Sequence, residues 1–168
     1  MVLPVQTILK LIKLSPPLIE GFIDLKEQLQ SNGFDLTLRD VSVVTSVGRL
    51  SAGQERTLSK TTPISFDVDG WAHLSPGTYL VTYNEVVSLS EDLMAIGRPR
   101  SSLLRCGVSI GTAVWDAGYS GRSQSLLIVH NPSGFEVQRN ARILQLVFIR
   151  LETTTKEAYR GRFQRENI

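Results

Sequence analysis

The chain has 168 residues, of which 42% are hydrophobic and 20% are charged, a balance typical of a folded globular protein. Its net charge of +2 is too small to indicate a nucleic-acid or membrane partner, and we expect neither. The single cysteine, Cys106, excludes an intrachain disulfide; no apolar run is long enough to cross a membrane, and we expect a cytoplasmic protein. The length predicts one domain, residues 1–168.

Two helices are predicted near the N-terminus. Apolar residues recur at helical spacing from Pro4 to Leu14, and Pro16-Pro17 would end that helix. We expect it to cover one end of a sheet. A second, shorter helix is possible from Asp24 to Gln30.

Most of the remaining chain has the pattern of short strands between Gly, Pro and Asn turns. Residues 40–66 are polar and irregular, and they predict a long hairpin or excursion. Ser90 could cap one helical turn, Glu91 to Ile96, which Gly97 would end. Strands are predicted from Leu36, Thr78, Val86, Ser125, Phe135 and Arg142 onward. The pattern indicates a mainly β fold, an antiparallel β-barrel or jelly roll with short helices.

The segment from Arg100 to Gly121 carries most of the candidate chemistry. Ser101 and Ser102 lie between Arg100 and Arg105, so two hydroxyl groups stand beside two guanidinium groups. One guanidinium group can bind two phosphate oxygens at once, and hydroxyl and backbone N–H groups can donate to the remaining lone pairs. After an apolar strand comes Trp115-Asp116-Ala117-Gly118-Tyr119-Ser120-Gly121, where a carboxylate and an aromatic ring flank a glycine turn. This order indicates a site that acts on a nucleotide.

These two motifs resemble the second and third motifs of the trimeric dUTPase and dCTP deaminase superfamily. The segment Gly33-Phe34-Asp35-Leu36 resembles its first motif, Arg142-Ile143-Leu144-Gln145 its fourth, and Tyr159 to Gln164 the tail of archaeal-type members. The resemblance spans Gly33 to Gln164. It implies a dUTPase-like, β-clip barrel that forms a homotrimer with sites at the subunit interfaces. Each site would bind a deoxynucleoside triphosphate with Mg²⁺ held mainly through substrate phosphates and water, and no residue is expected as a direct metal ligand.

Position 126 separates the two chemistries that this superfamily performs. A pyrophosphatase needs a carboxylate that activates the water attacking the α-phosphate, whereas a deaminase needs an acid/base group beside C4 of cytosine. Deaminase members carry a glutamate ten residues after the aspartate, and here that position is Leu126. We therefore expect a dUTP diphosphatase that forms dUMP and pyrophosphate. A dCTP deaminase remains an alternative, and so does a catalytically silent nucleotide-binding homologue, because Ala141 replaces the acidic residue of the fourth motif.

The resemblance implies a role for each candidate site residue. Asp116 would orient or deprotonate the attacking water, and Tyr119 would pack against the deoxyribose. The residues expected to bind substrate are Ser101, Ser102, Arg105, Tyr119, Gly121, Arg142, Gln145, Tyr159, Arg162, Phe163 and Gln164. Residues 155–168 would form a flexible C-terminal arm that closes over the site.

Other polar residues are expected to have structural roles. We favour a structural role for Asp35 over a place in the site. Cys106 is expected to be a buried small residue, and His73 and His130 are not expected to be catalytic. Asn140 stands where the superfamily has glycine, and it tolerates the left-handed turn conformation better than most residues do.

Overall fold

The computed structural model describes all residues, 1–168. Its three helices are α1 (Val5–Ile12), α2 (Leu25–Gln28) and α3 (Ser101–Arg105). The strands are β1 (Ile19–Glu20), β2 (Leu29–Gln30), β3 (Gly33–Val44), β4 (Arg49–Leu50), β5 (Arg56–Thr57), β6 (Thr61–Pro63), β7 (Trp71–Leu74), β8 (Gly77–Tyr83), β9 (Val86–Ser88), β10 (Leu93–Pro99), β11 (Val108–Gly111), β12 (Ser120–Gly121), β13 (Gln124–Val129), β14 (Phe135–Gln138) and β15 (Arg142–Arg150). None of the helices is both long and apolar enough to cross a membrane.

The main sheet is antiparallel and runs in the order β10-β15-β3-β8-β13-β11. Its two ends meet where Ala95 of β10 pairs with Trp115, which follows β11 in the chain. Each of these residues donates its N–H to the other's carbonyl oxygen, at 2.9 and 3.1 Å. The sheet therefore almost closes on itself, and the predicted antiparallel β-barrel with short helices is confirmed.

Strand β3 is the centre of the sheet. Its residues from Gly33 to Leu38 are buried, as expected for a strand that has neighbours on both edges. One hydrophobic core of 29 buried residues forms around it, and α1 contributes Ile8 to that core. The excursion predicted at residues 40–66 begins later, because β3 continues to Val44 before the β4–β5 hairpin leaves the sheet.

The helical turn predicted from Glu91 to Ile96 is wrong. Glu91 and Asp92 form a turn, and residues 93–96 belong to β10, which pairs with β15 along its whole length. Gly97, interpreted as the end of a helix, lies inside the strand, where a Cβ would come within 3.0 Å of both Leu144 and Trp115. Glycine is present here because neighbouring side chains pack against the bare backbone, a role that the sequence does not separate from a helix end.

Three further expectations can be compared with the structure. Cys106 directly follows α3 and is exposed, so the expectation of a buried residue is wrong. Asn140 has a φ of 67°, so the predicted left-handed conformation is confirmed. The second helix is shorter than predicted, ending at Gln28, and Asp24 caps it by accepting hydrogen bonds from two backbone N–H groups.

Candidate active site

The segment from Arg100 to Gly121 contains a helix that was not predicted. Ser101 and Ser102 open α3 and Arg105 ends it, and all three are exposed. The helix stops at Gly107, whose φ of +72° suits glycine. The hydroxyl groups and the guanidinium group thus lie on one short helix at the surface, and not on the predicted turn.

Asp35 lies in β3 at the centre of an ion-pair cluster. Its carboxylate is buried, and Oδ2 lies 3.1 Å from a guanidinium nitrogen of Arg100 and 3.7 Å from one of Arg142. Burial raises the pKa of Asp35, and the two arginine charges oppose that rise. The cluster therefore joins the residues preceding α3 to the start of β15 through one carboxylate.

Gln145 belongs to the same part of the sheet. It lies directly opposite Asp35 in the β15–β3 pairing and opposite Arg98 in the β10–β15 pairing. Arg142 also pairs with Glu27 at 3.5 Å. The fourth-motif residues Arg142 and Gln145 thus lie beside the first-motif Asp35, and Arg142 and Ser102 line a common cleft of about 240 Å³.

Asp116 and Tyr119 line a different cavity, of about 220 Å³. Asp116 is exposed, whereas the Tyr119 ring is buried. Between them Gly118 has a φ of +84°, and the Tyr119 N–H donates to the Asp116 carbonyl oxygen at 3.0 Å, so this is the predicted glycine turn. The cavity is also lined by Ala113, Val114, Trp115, Ser123, Gln124, Tyr159, Phe163 and Glu166.

The lack of a side chain at Gly121 leaves room for the Tyr119 side chain. A Cβ at Gly121 would lie 2.6 Å from the Tyr119 hydroxyl oxygen, closer than real Cβ contacts come. The Tyr119 ring also meets the Tyr159 ring, with ring centroids 5.8 Å apart in an edge-to-face arrangement. The glycine is thus needed for the aromatic ring that lines the cavity.

The C-terminal arm folds back along residues 117–122. The side-chain amide of Gln164 makes two hydrogen bonds to this backbone. Its Nε2 donates to the Gly118 carbonyl oxygen and its Oε1 accepts from the Ser120 N–H, both at 2.9 Å. The Arg165 N–H donates to the Ser120 carbonyl oxygen at 2.7 Å. Phe163 and Tyr159 then line the cavity beside Asp116, while Arg162 is exposed.

Glu166 was missed by the sequence reasoning. Its Oε1 accepts a hydrogen bond from the Tyr119 hydroxyl group at 2.9 Å. Burial raises the pKa of both groups, and the Glu166 charge raises the Tyr119 pKa further. No sequence signal identifies this contact, because the two residues lie 47 positions apart.

Some of the predicted site residues line one of two separate clefts. Ser102 and Arg142 line one cleft, while Asp116, Tyr119 and the arm line the other, with no residue in common. Leu126 lies in β13 opposite Leu80 and Gly111, so no carboxylate stands at that strand position. The structure thus combines a nearly closed antiparallel barrel with an arginine cluster around Asp35 and a separate cavity at Asp116 and Tyr119.

Comparison with known proteins gives the family. The dCTP deaminase-like family model matches residues 2–151, and the chain belongs to this family. A relative from Methanococcoides burtonii is 48% identical over 95% of this chain and 94% of its own length, and one from Archaeoglobus fulgidus is 49% identical over 90% and 89%. Both are named probable deoxyuridine 5′-triphosphate nucleotidohydrolase.

Solved structures support the fold. The 2′-deoxycytidine 5′-triphosphate deaminase from Agrobacterium tumefaciens superimposes with a TM-score of 0.66 at 22% identity, over 88% of this chain. The match covers 47% of that protein, so this chain spans about half of its length. The EIAV dUTPase superimposes with a TM-score of 0.51 at 14% identity, over 86% of this chain and 96% of its own.

Proposed function

We propose that this protein is a dUTP diphosphatase, which hydrolyses dUTP to dUMP and pyrophosphate in deoxynucleotide metabolism. The observation that carries the proposal is the cavity shared by Asp116 and Tyr119, combined with the leucine at position 126. The cavity offers a carboxylate for water activation, but position 126 offers no group that could exchange protons with a cytosine. The names of the archaeal relatives support the same activity.

Asp116 would act on the water. Its carboxylate accepts a proton as the water oxygen forms a bond to the α-phosphorus, and the bond from that phosphorus to the oxygen bridging to the β-phosphorus breaks. The electron pair of that bond leaves with pyrophosphate, and the proton passes from Asp116 to solvent. Exposure of Asp116 at the cavity suits this role, because water reaches it without displacing packed side chains.

Tyr119 would select the sugar. Its ring is held by the hydrogen bond from its hydroxyl group to Glu166 and by the contact with the Tyr159 ring. A ring fixed in this way packs against a deoxyribose and leaves little room for a 2′-hydroxyl group. Backbone groups of β11 and β13 are the candidates for reading uracil.

The phosphates would be bound by the other group of residues. Arginine side chains suit oligophosphates because their planar donors match two oxygens at once. The binding residues in this role are Ser101, Ser102, Arg105, Arg142 and Gln145. Ser102 and Arg142 line a different cleft of the chain from Asp116, and we propose a homotrimer in which neighbouring subunits complete each site.

Mg²⁺ is the proposed cofactor. The chain has no group of three or more His, Cys, Asp or Glu side chains arranged to hold a metal ion, and the Asp35 carboxylate is occupied by two arginines. This donor set fits a cation that arrives with the substrate and is held through phosphate oxygens and water. Bound in this way, the cation supplies charge neutralisation on the phosphates.

Residues 155–168 are proposed as an arm that closes over the nucleotide, with Tyr159, Arg162, Phe163 and Gln164 as its binding residues. The arm adds no fully buried apolar side chain to the core, although Tyr159 packs against it. Deleting residues 155–168 should lower the melting temperature but leave the barrel folded, and it should reduce kcat/KM for dUTP strongly, because water then enters the site. Thermal melting and steady-state kinetics of the truncated and full chains test this; a loss of folding would contradict the arm as a separate element.

The activity is tested by incubating the pure protein with dUTP, and separately with dCTP, in the presence of Mg²⁺. Chromatography follows the nucleotides, and a coupled assay follows ammonia. We expect dUMP and pyrophosphate from dUTP and no change in dCTP. Ammonia from dCTP would identify a deaminase, and binding of dUTP without turnover would identify a silent homologue.

A cytoplasmic location is also proposed. It is supported by the single cysteine, because a chain without an intrachain disulfide is typical of a reducing compartment.

A further inference from the structure

Residues 35–37 of strand β3 have a partner strand on one edge only, which leaves a gap on the other edge. One edge of the strand pairs with β15. On the other edge, β2 pairs with Gly33 and Phe34, and β8 begins only opposite Leu38. The segment between them is buried, and buried backbone N–H and C=O groups need partners. Something other than a strand must therefore satisfy this part of the edge.

Two buried side chains and one backbone group fill the gap, the backbone group being the Asn84 N–H, which donates to the Thr37 carbonyl oxygen at 3.0 Å. Gln28 Nε2 donates to the Asp35 carbonyl oxygen at 2.8 Å and to Glu85 Oε1 at 2.7 Å. Glu85 Oε2 accepts from the Thr37 N–H at 2.9 Å, and Oε1 also accepts from the Thr37 hydroxyl group at 2.6 Å. The side chains of Gln28 and Glu85 thus satisfy the Asp35 carbonyl oxygen and the Thr37 N–H in place of a neighbouring strand.

The orientation of this network is fixed. Gln28 Oε1 accepts from the N–H groups of Ile23 and Asp24 at 2.7 and 2.9 Å, so the amide nitrogen must face Glu85. Three donors consequently converge on the Glu85 carboxylate, which is fully buried. Only an acceptor with two free oxygens satisfies all three donors, so glutamate is required here and glutamine is not equivalent.

The backbone held in this way is the part of β3 that carries Asp35. The Asp35 carboxylate in turn lies between Arg100 and Arg142, at 3.1 and 3.7 Å. Arg100 directly precedes α3, and Arg142 begins β15, so one carboxylate aligns both elements. A shift of residues 35–37 would move Asp35 relative to both guanidinium groups.

We propose that Glu85 is a positioning residue for triphosphate binding: through Gln28 and Thr37 it fixes Asp35, and through Asp35 it fixes Arg100 and Arg142. The proposal rests on the proposed function in taking the arginine cluster as the phosphate-binding half of the site. Glu85 itself touches no substrate, because its carboxylate is enclosed by protein donors.

The test is the substitution Glu85→Gln, which keeps shape and volume and replaces one acceptor oxygen by a donor. In one orientation the new amide NH₂ group faces the Thr37 N–H, and in the other it faces Gln28 Nε2, so two donors meet in either case. We expect KM for dUTP to rise about tenfold, the size of effect of one lost hydrogen bond to a charged group, with kcat changed about twofold or less. The affinity for deoxyuridine, which lacks phosphates, should not change.

Two controls separate positioning from a general loss of structure. Glu55→Gln alters an exposed carboxylate of the β4–β5 hairpin and should match the wild type in both constants. Thr37→Ser keeps the hydroxyl group and should behave as wild type, whereas Thr37→Val removes it and should raise KM as Glu85→Gln does. If Glu85→Gln fails to fold, the Thr37 pair still tests the proposal.

Calorimetric binding of the α,β-imido analogue of dUTP separates this proposal from the proposed activity. Absence of dUTP turnover by the wild type would overturn the activity, while weaker analogue binding by Glu85→Gln would still support positioning. Equal analogue binding by folded Glu85→Gln and wild type would overturn positioning. An equal loss of deoxyuridine affinity would also overturn it, since the defect would then not be specific to the phosphates.

Discussion

The hydroxyl group of Tyr119 donates a hydrogen bond of 2.9 Å to Oε1 of Glu166, linking the wall of the Asp116 cavity to the C-terminal arm. The arm thereby brings a second carboxylate into the cavity that already contains Asp116. A triphosphate carries several negative charges, so the ionisation of Glu166 affects both the arm and the ligand.

The contact predicts that closure of the arm depends on pH. Burial raises the pKa of Glu166 above its ordinary value of 4.5, so the closed arm binds a proton more tightly than the open arm. Closure is therefore strongest below 4.5 and weakens as the pH rises through the raised pKa. Amide hydrogen exchange of residues 159–167 across this range measures the effect. Glu166→Gln keeps an acceptor for Tyr119 and should make protection of the arm independent of pH in this window. If the variant keeps the pH dependence of the wild type, the prediction is contradicted.

A second prediction concerns the catalytic carboxylate. Asp116→Asn retains the size of the side chain but removes its ability to take a proton, so kcat for dUTP should fall about 10²–10⁴-fold with KM little changed. Asp69→Asn is a matched control, because Asp69 is exposed in the turn before β7, outside the cavity residues. Steady-state release of pyrophosphate measures both variants. Near wild-type turnover by Asp116→Asn would remove Asp116 from the mechanism.

A third prediction concerns specificity. Leu126 is 37% exposed in β13, so Leu126→Glu introduces a carboxylate without forcing a buried charge. We expect no ammonia from dCTP, because cytosine also needs groups that recognise N3 and the N4 amino group, and one acid/base residue does not supply them. The coupled ammonia assay decides, with Leu126→Gln as the uncharged control. Ammonia above background from the glutamate variant alone would mean that position 126 is sufficient for deamination.

Local patterns in the sequence predict most strands of the main sheet but not β10, and they predict the glycine turn after Asp116 and the conformation of Asn140, because these features depend on neighbours in the chain. They do not predict partners brought together from distant positions. Two examples are the contact of Glu166 with Tyr119 and the contacts of Glu85 with Gln28 and Thr37. Each joins residues 47 or more positions apart and forms only when the barrel closes. Gly97 was misinterpreted for the same reason, since the side chains that require a glycine there come from other parts of the sheet.

Gly97 gives the last prediction. In Gly97→Ala the new Cβ would lie 3.0 Å from Leu144 Cδ2 and from Trp115 Cζ3, and 3.1 Å from Thr112 Cγ2, so three neighbours must move together. Overpacking of this kind should lower the free energy of unfolding by about 1–3 kcal/mol. Gly53→Ala is the control, because its Cβ would meet only Ser51 Oγ at 3.7 Å, and it should change stability by about 0.5 kcal/mol or less. Urea denaturation of the three proteins measures the difference. Equal stability of Gly97→Ala and the wild type would mean that β10 and the residues around Trp115 are packed less tightly than the barrel closure requires.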